Sequence, residues 1–252
     1  MNISFSKIGI FVCMTYFMIA CANVSNYMNT DQPYMTVSHP GKYSLEYFNS
    51  PIDFPQYSRA KVDGREILAT GDVVIPSAQS LYMLTHFEVF EGETVLDIGT
   101  GSGVQAIFAA DTACKVVATD IDALAVDVAK LNVERHGLEN KIEVRQGDLF
   151  APLGKDEKFD VILFNIDYPY NLDSGGLWKL HERFFAEVKN YLNPGGRLYY
   201  QSGHITNVQK VNDMVINNDM RIISMRMDAA LKVDRYPIVY LIQRNVDLQN
   251  DL

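Results

Sequence analysis

Three glycines at alternate positions follow an apolar segment near the middle of the chain, and this motif constrains the fold more than any other. Residues 95–104 read V-L-D-I-G-T-G-S-G-V, which predicts a strand, a tight turn and the start of a helix. Glycine at 99, 101 and 103 permits backbone conformations and a close ligand approach that a Cβ atom would prevent. The motif therefore predicts an α/β protein with a ligand at this turn.

The chemistry around the turn favours an amino-acid zwitterion over a pyrophosphate. We expect the amides at the N-terminus of the following helix to be free to bind a carboxylate. Asp97, two residues before Gly99, supplies an acceptor for an ammonium group. The spacing G-x-G-x-G also differs from the G-x-G-x-x-G of dinucleotide-binding proteins. A plain glycine-rich turn is the alternative, and we interpret the motif as a site for S-adenosylmethionine.

Two further strands are predicted to end at acidic residues that suit other parts of this ligand. Residues 115–119 end at Asp120, about twenty residues beyond the glycines, where α/β nucleotide sites place a carboxylate for the ribose hydroxyls. Residues 142–146 lead into G-D-L-F at 147–150, where Asp148 would accept a hydrogen bond from an adenine amino group. The apolar side chains of this segment would lie beside the adenine ring.

A fourth predicted strand, residues 159–164, delivers Asn165, Asp167, Tyr168 and Tyr170 to the same edge of the sheet. Binding crevices in open α/β sheets lie outside the carboxyl ends of the strands, so these strand ends are expected to converge. The predicted cofactor-binding residues are Asp97, Gly99, Thr100, Gly101, Gly103, Asp120, Ile121, Asp148, Leu149 and Asn165.

With these segments the chain resembles class I S-adenosylmethionine-dependent methyltransferases over residues 73–244. Among them it is most similar to small-domain amino-group methylases, such as release-factor glutamine methyltransferases and ribosomal-RNA guanine methylases. Those enzymes share a G-D-L-F stretch, intact here at 147–150, and a following N-P-P-Y. This chain reads N-I-D-Y at 165–168, which keeps the amide and the aromatic ring but replaces both prolines.

The resemblance implies catalytic roles for Asn165, Asp167 and Tyr168. In the resembled enzymes the asparagine side chain and a proline carbonyl accept hydrogen bonds from the nitrogen to be methylated, while the tyrosine stacks against its planar group. Here the carbonyl of Ile166 would replace that of the proline. Asp167 is an added carboxylate, either a proton acceptor or an acid in a turn. Few dedicated catalytic residues are expected, because methyl transfer depends mainly on alignment.

Alternating strands and helices predict a Rossmann-like class I methyltransferase fold, with a seven-stranded, mostly parallel sheet and helices on both faces. The resemblance implies that the last strand runs antiparallel between its neighbours. Leu124, Val128 and Leu131 are predicted to share the inner face of a helix that begins at Asp122. The other predicted elements are a hairpin at 62–66, helices at 77–87, 176–192 and 205–217, and strands at 197–201, 221–227 and 237–243.

The amino terminus resembles a bacterial lipoprotein signal. A short basic segment precedes an apolar run over residues 8–20 that is too short to span a membrane comfortably, and Cys21 follows as a candidate lipidation site. A buried or interfacial helix, or a start codon placed too far upstream, is the alternative. The predicted organisation is a leader at 1–21, a tether or amino-terminal segment at 22–52, a methyltransferase domain at 53–244 and a tail at 245–252.

Localisation follows from the leader: the protein is a bacterial membrane lipoprotein if the leader is used, and cytoplasmic if it is not. The net charge of −9 gives no broad attraction for nucleic acid. Lys179, Arg183 and Lys189 form either a local basic face or solvated surface. The cysteines and histidines show no metal-ligand spacing, so no metal site is predicted.

Three functions are compatible with the sequence. We expect a methyltransferase that acts on an amide or amino nitrogen of a protein or small molecule. The leader and the lost prolines favour a non-catalytic, membrane-anchored lipoprotein that retains the fold. An aminopropyltransferase that uses the decarboxylated cofactor shares the same sheet, and Asp97 does not separate it from the first function.

Overall fold

The computed structural model describes residues 35–37, 42–166, 175–203, 207–227 and 237–245. Its strands are β1 (Met35–Val37), β2 (Leu45–Phe48), β3 (Ser58–Val62), β4 (Arg65–Ala69), β5 (Thr94–Ile98), β6 (Lys115–Asp120), β7 (Ile142–Gln146), β8 (Phe159–Phe164), β9 (Leu192–Ser202), β10 (Met220–Met227) and β11 (Ile238–Arg244). Its α-helices are α1 (Ala78–His86), α2 (Val104–Ala109), α3 (Ala123–Arg135), α4 (Gly175–Val188) and α5 (Val208–Asn217), and a 3₁₀ turn covers Lys189–Tyr191.

The central sheet has seven strands in the order β10-β11-β9-β8-β5-β6-β7 within the described residues. Strands β5 to β9 are parallel, whereas β11 runs antiparallel to both of its neighbours. The mostly parallel sheet and its antiparallel last strand are thus confirmed. The strand order reverses between β5 and β8, and ligands of open α/β sheets bind at such a switch point.

Helices cover both faces of this sheet, as predicted. Val95 of β5 packs in one apolar cluster with α1 and α2, whereas the next residue, Leu96, packs in another with α4 and α5. Successive residues of a strand point to opposite faces, so a strand buried on both sides is apolar along its whole length. This explains the continuous apolar runs of the central strands.

A second, antiparallel sheet of four strands precedes the central one, in the order β1-β2-β3-β4. Its hairpin between β3 and β4 turns at Asp63 and Gly64, which both have positive φ, as a two-residue turn of type I′ requires. The hairpin predicted at 62–66 is confirmed. Strands β1 and β2 lie within residues 22–52, and β2 pairs with β3 beyond that range. The predicted leader and Cys21 lie outside the described residues.

Two local expectations are wrong. Strand β9 begins at Leu192 rather than at 197, because Leu192 pairs with Phe159 and a register shift absorbs the N-P-G-G segment that predicted a helix stop. On α3, Leu124 is exposed and Leu131 is only half-buried, so the two leucines do not form the inner face. Small residues take that place, because Ala129 packs closely against the backbone of Gly103.

Candidate functional site

One cavity of about 470 Å³ lies at the carboxyl ends of the parallel strands, a size typical of small-molecule sites. The strand ends that the sequence predicted to converge all contribute to it. Its walls comprise residues 98–102 at the end of β5, 119–122 at the end of β6, 147–149 after β7, 165–166 after β8, segment 72–74, and Ser77, Gln79, Ser80, Val104, Gln105, Ala125, Leu180 and Arg183.

Gly99, Gly101 and Gly103 all adopt left-handed backbone conformations, with φ of 70°, 55° and 83°. The amides of Gly99 and Thr100 donate to the carbonyl of Thr119, at 2.8 and 3.0 Å. The Gly101 amide donates to Asp120 Oδ2 at 2.9 Å, and the Gly103 amide donates to the Thr100 carbonyl at 2.9 Å. These four bonds hold the turn in shape, three of them against the end of β6. The binding of a ligand carboxylate by amides at the start of α2 stays a prediction.

Asp97 is buried under this turn, with 1% of its surface exposed, and is not among the residues that line the cavity. The Thr100 hydroxyl donates to Asp97 Oδ2 at 2.6 Å. Burial raises the pKa of Asp97 from 3.8 to about 7; the Thr100 hydrogen bond opposes this rise, and the negative charge of Asp120 adds to it. Asp97 is thus linked to the cavity by its hydrogen bond to Thr100, which lines the wall. A direct contact between Asp97 and the ammonium group of a ligand stays a prediction.

The raised pKa predicts an unusual dependence of stability on pH. Between about pH 4 and pH 7 the folded protein binds a proton at Asp97 that the unfolded chain has released, so stability falls as pH rises through this window. The free energy of unfolding of the wild type minus that of Asp97→Asn should fall by up to about 4 kcal/mol between about pH 4 and pH 8. Urea denaturation at each pH measures it. Asp127→Asn, at an exposed position on α3, is the control; parallel profiles for wild type and Asp97→Asn would contradict the prediction.

Asp120 lies at the end of β6 and lines the cavity. Its Oδ2 accepts from the Gly101 amide, and its Oδ1 accepts from the Asp122 amide at 3.0 Å. Each carboxylate oxygen retains acceptor capacity beyond one such bond, so the pair can also accept from two vicinal hydroxyls. Ile121 is 65% exposed at the rim, where an apolar ring can cover it.

The G-D-L-F segment divides between the cavity and the core. Leu149 lines the cavity in a left-handed conformation, with φ of 48°. Phe150 instead stacks on Tyr191 in the core, with ring centroids 4.5 Å apart, so it does not line the cavity. The position of Leu149 beside an adenine ring stays a prediction. The carboxylate of Asp148 forms an ion pair with Arg183 of α4.

This ion pair bears on the predicted basic face of α4. Arg183 belongs to the cavity wall and is neutralised by Asp148, while Lys189 pairs with Asp219. Trp178, on the same helix, is 2% exposed and packs against the His181 ring, so it belongs to the core. Within the described residues, no group of three or more potential metal-ligand side chains occurs.

Asn165 lines the cavity, and its amide makes no hydrogen bond within the described residues. The next side chain, Ile166, packs directly against the turn: a Cβ atom on Gly99 would lie 2.3 Å from Ile166 Cγ1. The other two predicted catalytic residues, Asp167 and Tyr168, lie outside the described residues.

Sequence reasoning missed three polar residues around the cavity. Gln105 Nε2 and Thr119 Oγ1 are buried in its wall without a hydrogen-bond partner among the described residues. The buried amide of Asn132 on α3 donates to the carbonyls of Leu68 and Ser102, both at 2.8 Å, and accepts from the Leu68 amide. A signal existed for Gln105, which is a single polar residue in the apolar run V-Q-A-I-F-A.

The charged and polar side chains of the cavity wall fit S-adenosylmethionine. The described cavity wall carries four carboxylates, Asp72, Asp120, Asp122 and Asp148, and its one cation is Arg183, which is already paired. Such a wall favours a cationic ligand. The buried unpaired atoms of Gln105 and Thr119 can bond to polar groups of the ligand.

Comparisons with known proteins gave a family model described as a methyltransferase small domain, which matches residues 77–222. A ribosomal protein L11 methyltransferase of Geobacillus thermodenitrificans is 38% identical over 165 residues, 63% of this chain and 49% of that protein. A ribosomal protein uL3 glutamine methyltransferase of Bradyrhizobium diazoefficiens is 43% identical over 99 residues, 38% of this chain and 30% of that protein. A release factor glutamine methyltransferase of Rhodopirellula baltica is 48% identical over 77 residues, 30% of this chain and 26% of that protein.

The chain therefore spans between about a quarter and a half of the length of these curated relatives. Among solved structures, a ribosomal protein L11 methylase of Lactobacillus delbrueckii subsp. bulgaricus superposes with a TM-score of 0.55 at 23% identity, over 70% of this chain and 83% of that one. A tRNA m1G37 methyltransferase of M. jannaschii gives 0.60 at 18% identity, over 75% and 55%. These likenesses confirm the fold.

Proposed function

The chain belongs to the methyltransferase small-domain family, and from this membership we propose that it is an S-adenosylmethionine-dependent methyltransferase acting on an amide or amino nitrogen. One observation carries the proposal: four strand ends meet around a single cavity at the point where the strand order reverses. When bound there, S-adenosylmethionine supplies a methyl group from its sulfonium. The protein's part is then to bind the cofactor, exclude water and align the acceptor.

Each strand end is assigned one part of the cofactor. Asp120 accepts from the two ribose hydroxyls while it keeps its bonds to the turn. Asp148 accepts from the adenine amino group, sharing its charge with Arg183. Leu149 and Ile121 cover the purine faces. Gly99 and Gly101 allow the backbone of the turn to approach the ligand closely.

The acceptor side of the site begins at Asn165. Its side-chain oxygen, which has no hydrogen-bond partner among the described residues, is proposed to accept from the nitrogen that is methylated and so to orient the nitrogen lone pair. The carbonyl of Ile166 is proposed as the second acceptor. Asp167 and Tyr168, outside the described residues, remain proposed for proton acceptance and stacking.

We propose a protein as the acceptor, because the matched relatives are named for the ribosomal proteins and release factor that they methylate. The net charge of −9 gives no general attraction for nucleic acid. No helix among the described residues has the length and apolar character needed to cross a membrane. The predicted lipoprotein leader remains a proposal, which mass spectrometry of the natural amino terminus tests.

Binding of the demethylated product tests the function first. We expect S-adenosylhomocysteine to raise the melting temperature progressively with concentration, by the equivalent of about 2.7 kcal/mol at a hundred times its dissociation constant. Adenosine monophosphate, which shares the purine and ribose, is the control and should stabilise far less. A melting temperature that does not change with S-adenosylhomocysteine would support the non-catalytic alternative.

Transfer of label tests the reaction itself. Methyl-labelled S-adenosylmethionine incubated with the protein and a bacterial protein extract is expected to label protein at nitrogen. An aminopropyltransferase would transfer no label from S-adenosylmethionine, because it uses the decarboxylated cofactor. The same incubation with Asn165→Ala should lose the label while binding of S-adenosylhomocysteine persists, because Asn165 is assigned to the acceptor.

A further inference from the structure

We propose that Gln105 binds the carboxylate at the amino-acid end of S-adenosylmethionine, an assignment that rests on the proposed function. Gln105 is the second residue of α2 and lines the cavity with only 5% of its surface exposed. Its Nε2 has no hydrogen-bond partner within the described part of the chain. A buried amide donor without a partner is unfavourable, so a group that enters the cavity and accepts from it gains a hydrogen bond at little desolvation cost to the protein.

Four amides of the glycine turn are already used within the protein. The amides of Gly99, Thr100, Gly101 and Gly103 already donate to protein oxygens. Turning one of these amides toward a ligand would break a hydrogen bond that holds the turn in shape. A ligand carboxylate therefore needs donors outside this set.

The described cavity wall also offers no unpaired cation to bind the carboxylate. Arg183 is the one cation in the described cavity wall, and its guanidinium is held by Asp148 at the end of β7. The other charged groups in that wall are carboxylates, which repel an anion. A neutral donor such as the Gln105 amide binds a carboxylate without adding a charge that would repel the sulfonium.

The sheet order places Gln105 at the matching end of the ligand. Gln105 follows β5, Asp120 is the last residue of β6 and Asp148 follows β7, and these three strands are neighbours in that order. If Asp120 binds the ribose and Asp148 the adenine, the amino-acid end lies beside β5 and α2. Thr119 Oγ1, also buried without a partner, lies in the wall between them.

Two ligands and two variants test the assignment by isothermal titration calorimetry. S-adenosylhomocysteine carries the amino-acid end, whereas 5′-methylthioadenosine has the same purine, ribose and thioether without it. Gln105→Leu keeps most of the side-chain volume and removes both polar atoms. Gln105→Glu keeps the shape and places a negative charge where the carboxylate is proposed to bind.

We expect Gln105→Leu to raise the dissociation constant of S-adenosylhomocysteine by about tenfold to a hundredfold, as for a lost hydrogen bond to a charged group. Gln105→Glu should weaken it at least as much, because two carboxylates then face each other. Both variants should bind 5′-methylthioadenosine within about twofold of the wild type. The melting temperature of free Gln105→Leu should equal or exceed that of the wild type, since an unpaired buried amide is gone.

Other outcomes overturn the assignment. If the two ligands lose affinity together, or if neither affinity changes, Gln105 acts on packing or on a bound water molecule and not on the carboxylate. If Gln105→Leu fails to fold, the ratio of the two affinities in Gln105→Glu decides alone. If the wild-type protein binds neither ligand, the proposed function itself fails, and this inference fails with it.

Discussion

Replacing Asp120 by asparagine is expected to raise the dissociation constant of S-adenosylhomocysteine about a hundredfold. The Asp120 carboxylate accepts from the amides of Gly101 and Asp122 and is assigned to two ribose hydroxyls. An asparagine side chain has one acceptor oxygen, and its NH₂ group would face an amide donor. Losing two charge-assisted hydrogen bonds at about 1.5 kcal/mol each gives about 3 kcal/mol, or two powers of ten in affinity. Calorimetric titration measures this directly.

Asp72→Asn is the matched control for this experiment. Asp72 lies exposed at the rim of the same cavity, and its replacement removes the same charge. Its effect should stay within about threefold, because screened surface charges contribute little. Equal losses in the two variants would mean that the general field of the cavity binds the ligand, and the assignment of Asp120 to the ribose would then be abandoned.

Replacing Gly99 by alanine is expected to destabilise the folded protein by about 3 kcal/mol. A residue with a Cβ atom loses about 1–2 kcal/mol in the left-handed conformation that Gly99 adopts. The new atom would also lie 2.3 Å from Cγ1 and 2.6 Å from Cδ1 of Ile166, so the strand end or the turn must move. Overpacking of this kind costs about 1–3 kcal/mol more. Urea denaturation gives the free energy of unfolding.

Gly101→Ala separates the two causes. Gly101 also has a positive φ, but a Cβ atom there would meet nothing within 4 Å, so this variant bears only the conformational cost. The double variant Gly99→Ala/Ile166→Ala removes the clashing atoms, and its loss should be smaller than the sum of the single losses by about 1 kcal/mol or more. If Gly99→Ala and Gly101→Ala prove equally stable, Ile166 does not press on the turn.

Much of this fold is encoded locally. Strands β7 and β8 begin and end at the predicted residues, and Ser77 and Asp122 begin their helices as predicted, because short polar residues there precede apolar periodic segments. The start of β9 was not predictable in this way. The N-P-G-G segment has the composition of a turn, and only the pairing of Leu192 with Phe159 on another strand keeps it in the sheet.

The site shows the same division between local and distant causes. Chain order alone indicated that Asp120, Asp148 and Asn165 meet, since each follows a parallel strand. Which polar groups remain free depends on contacts between elements that are distant in sequence. The Thr119 carbonyl already accepts from two amides of the glycine turn, and the Asp148 carboxylate is already paired with Arg183. Gln105 differs from these groups because its Nε2 has no hydrogen-bond partner within the described residues.

The hydrogen bonds of Asn132 bear on where a domain boundary can be drawn in this protein. Its amide joins the Leu68 peptide of β4 to the Ser102 carbonyl of the glycine turn. A domain boundary drawn at residue 77, where the family match begins, would discard Leu68 and leave that buried amide without two of its bonds. We therefore propose that the unit that holds the ligand site extends upstream of the family match and includes the small antiparallel sheet.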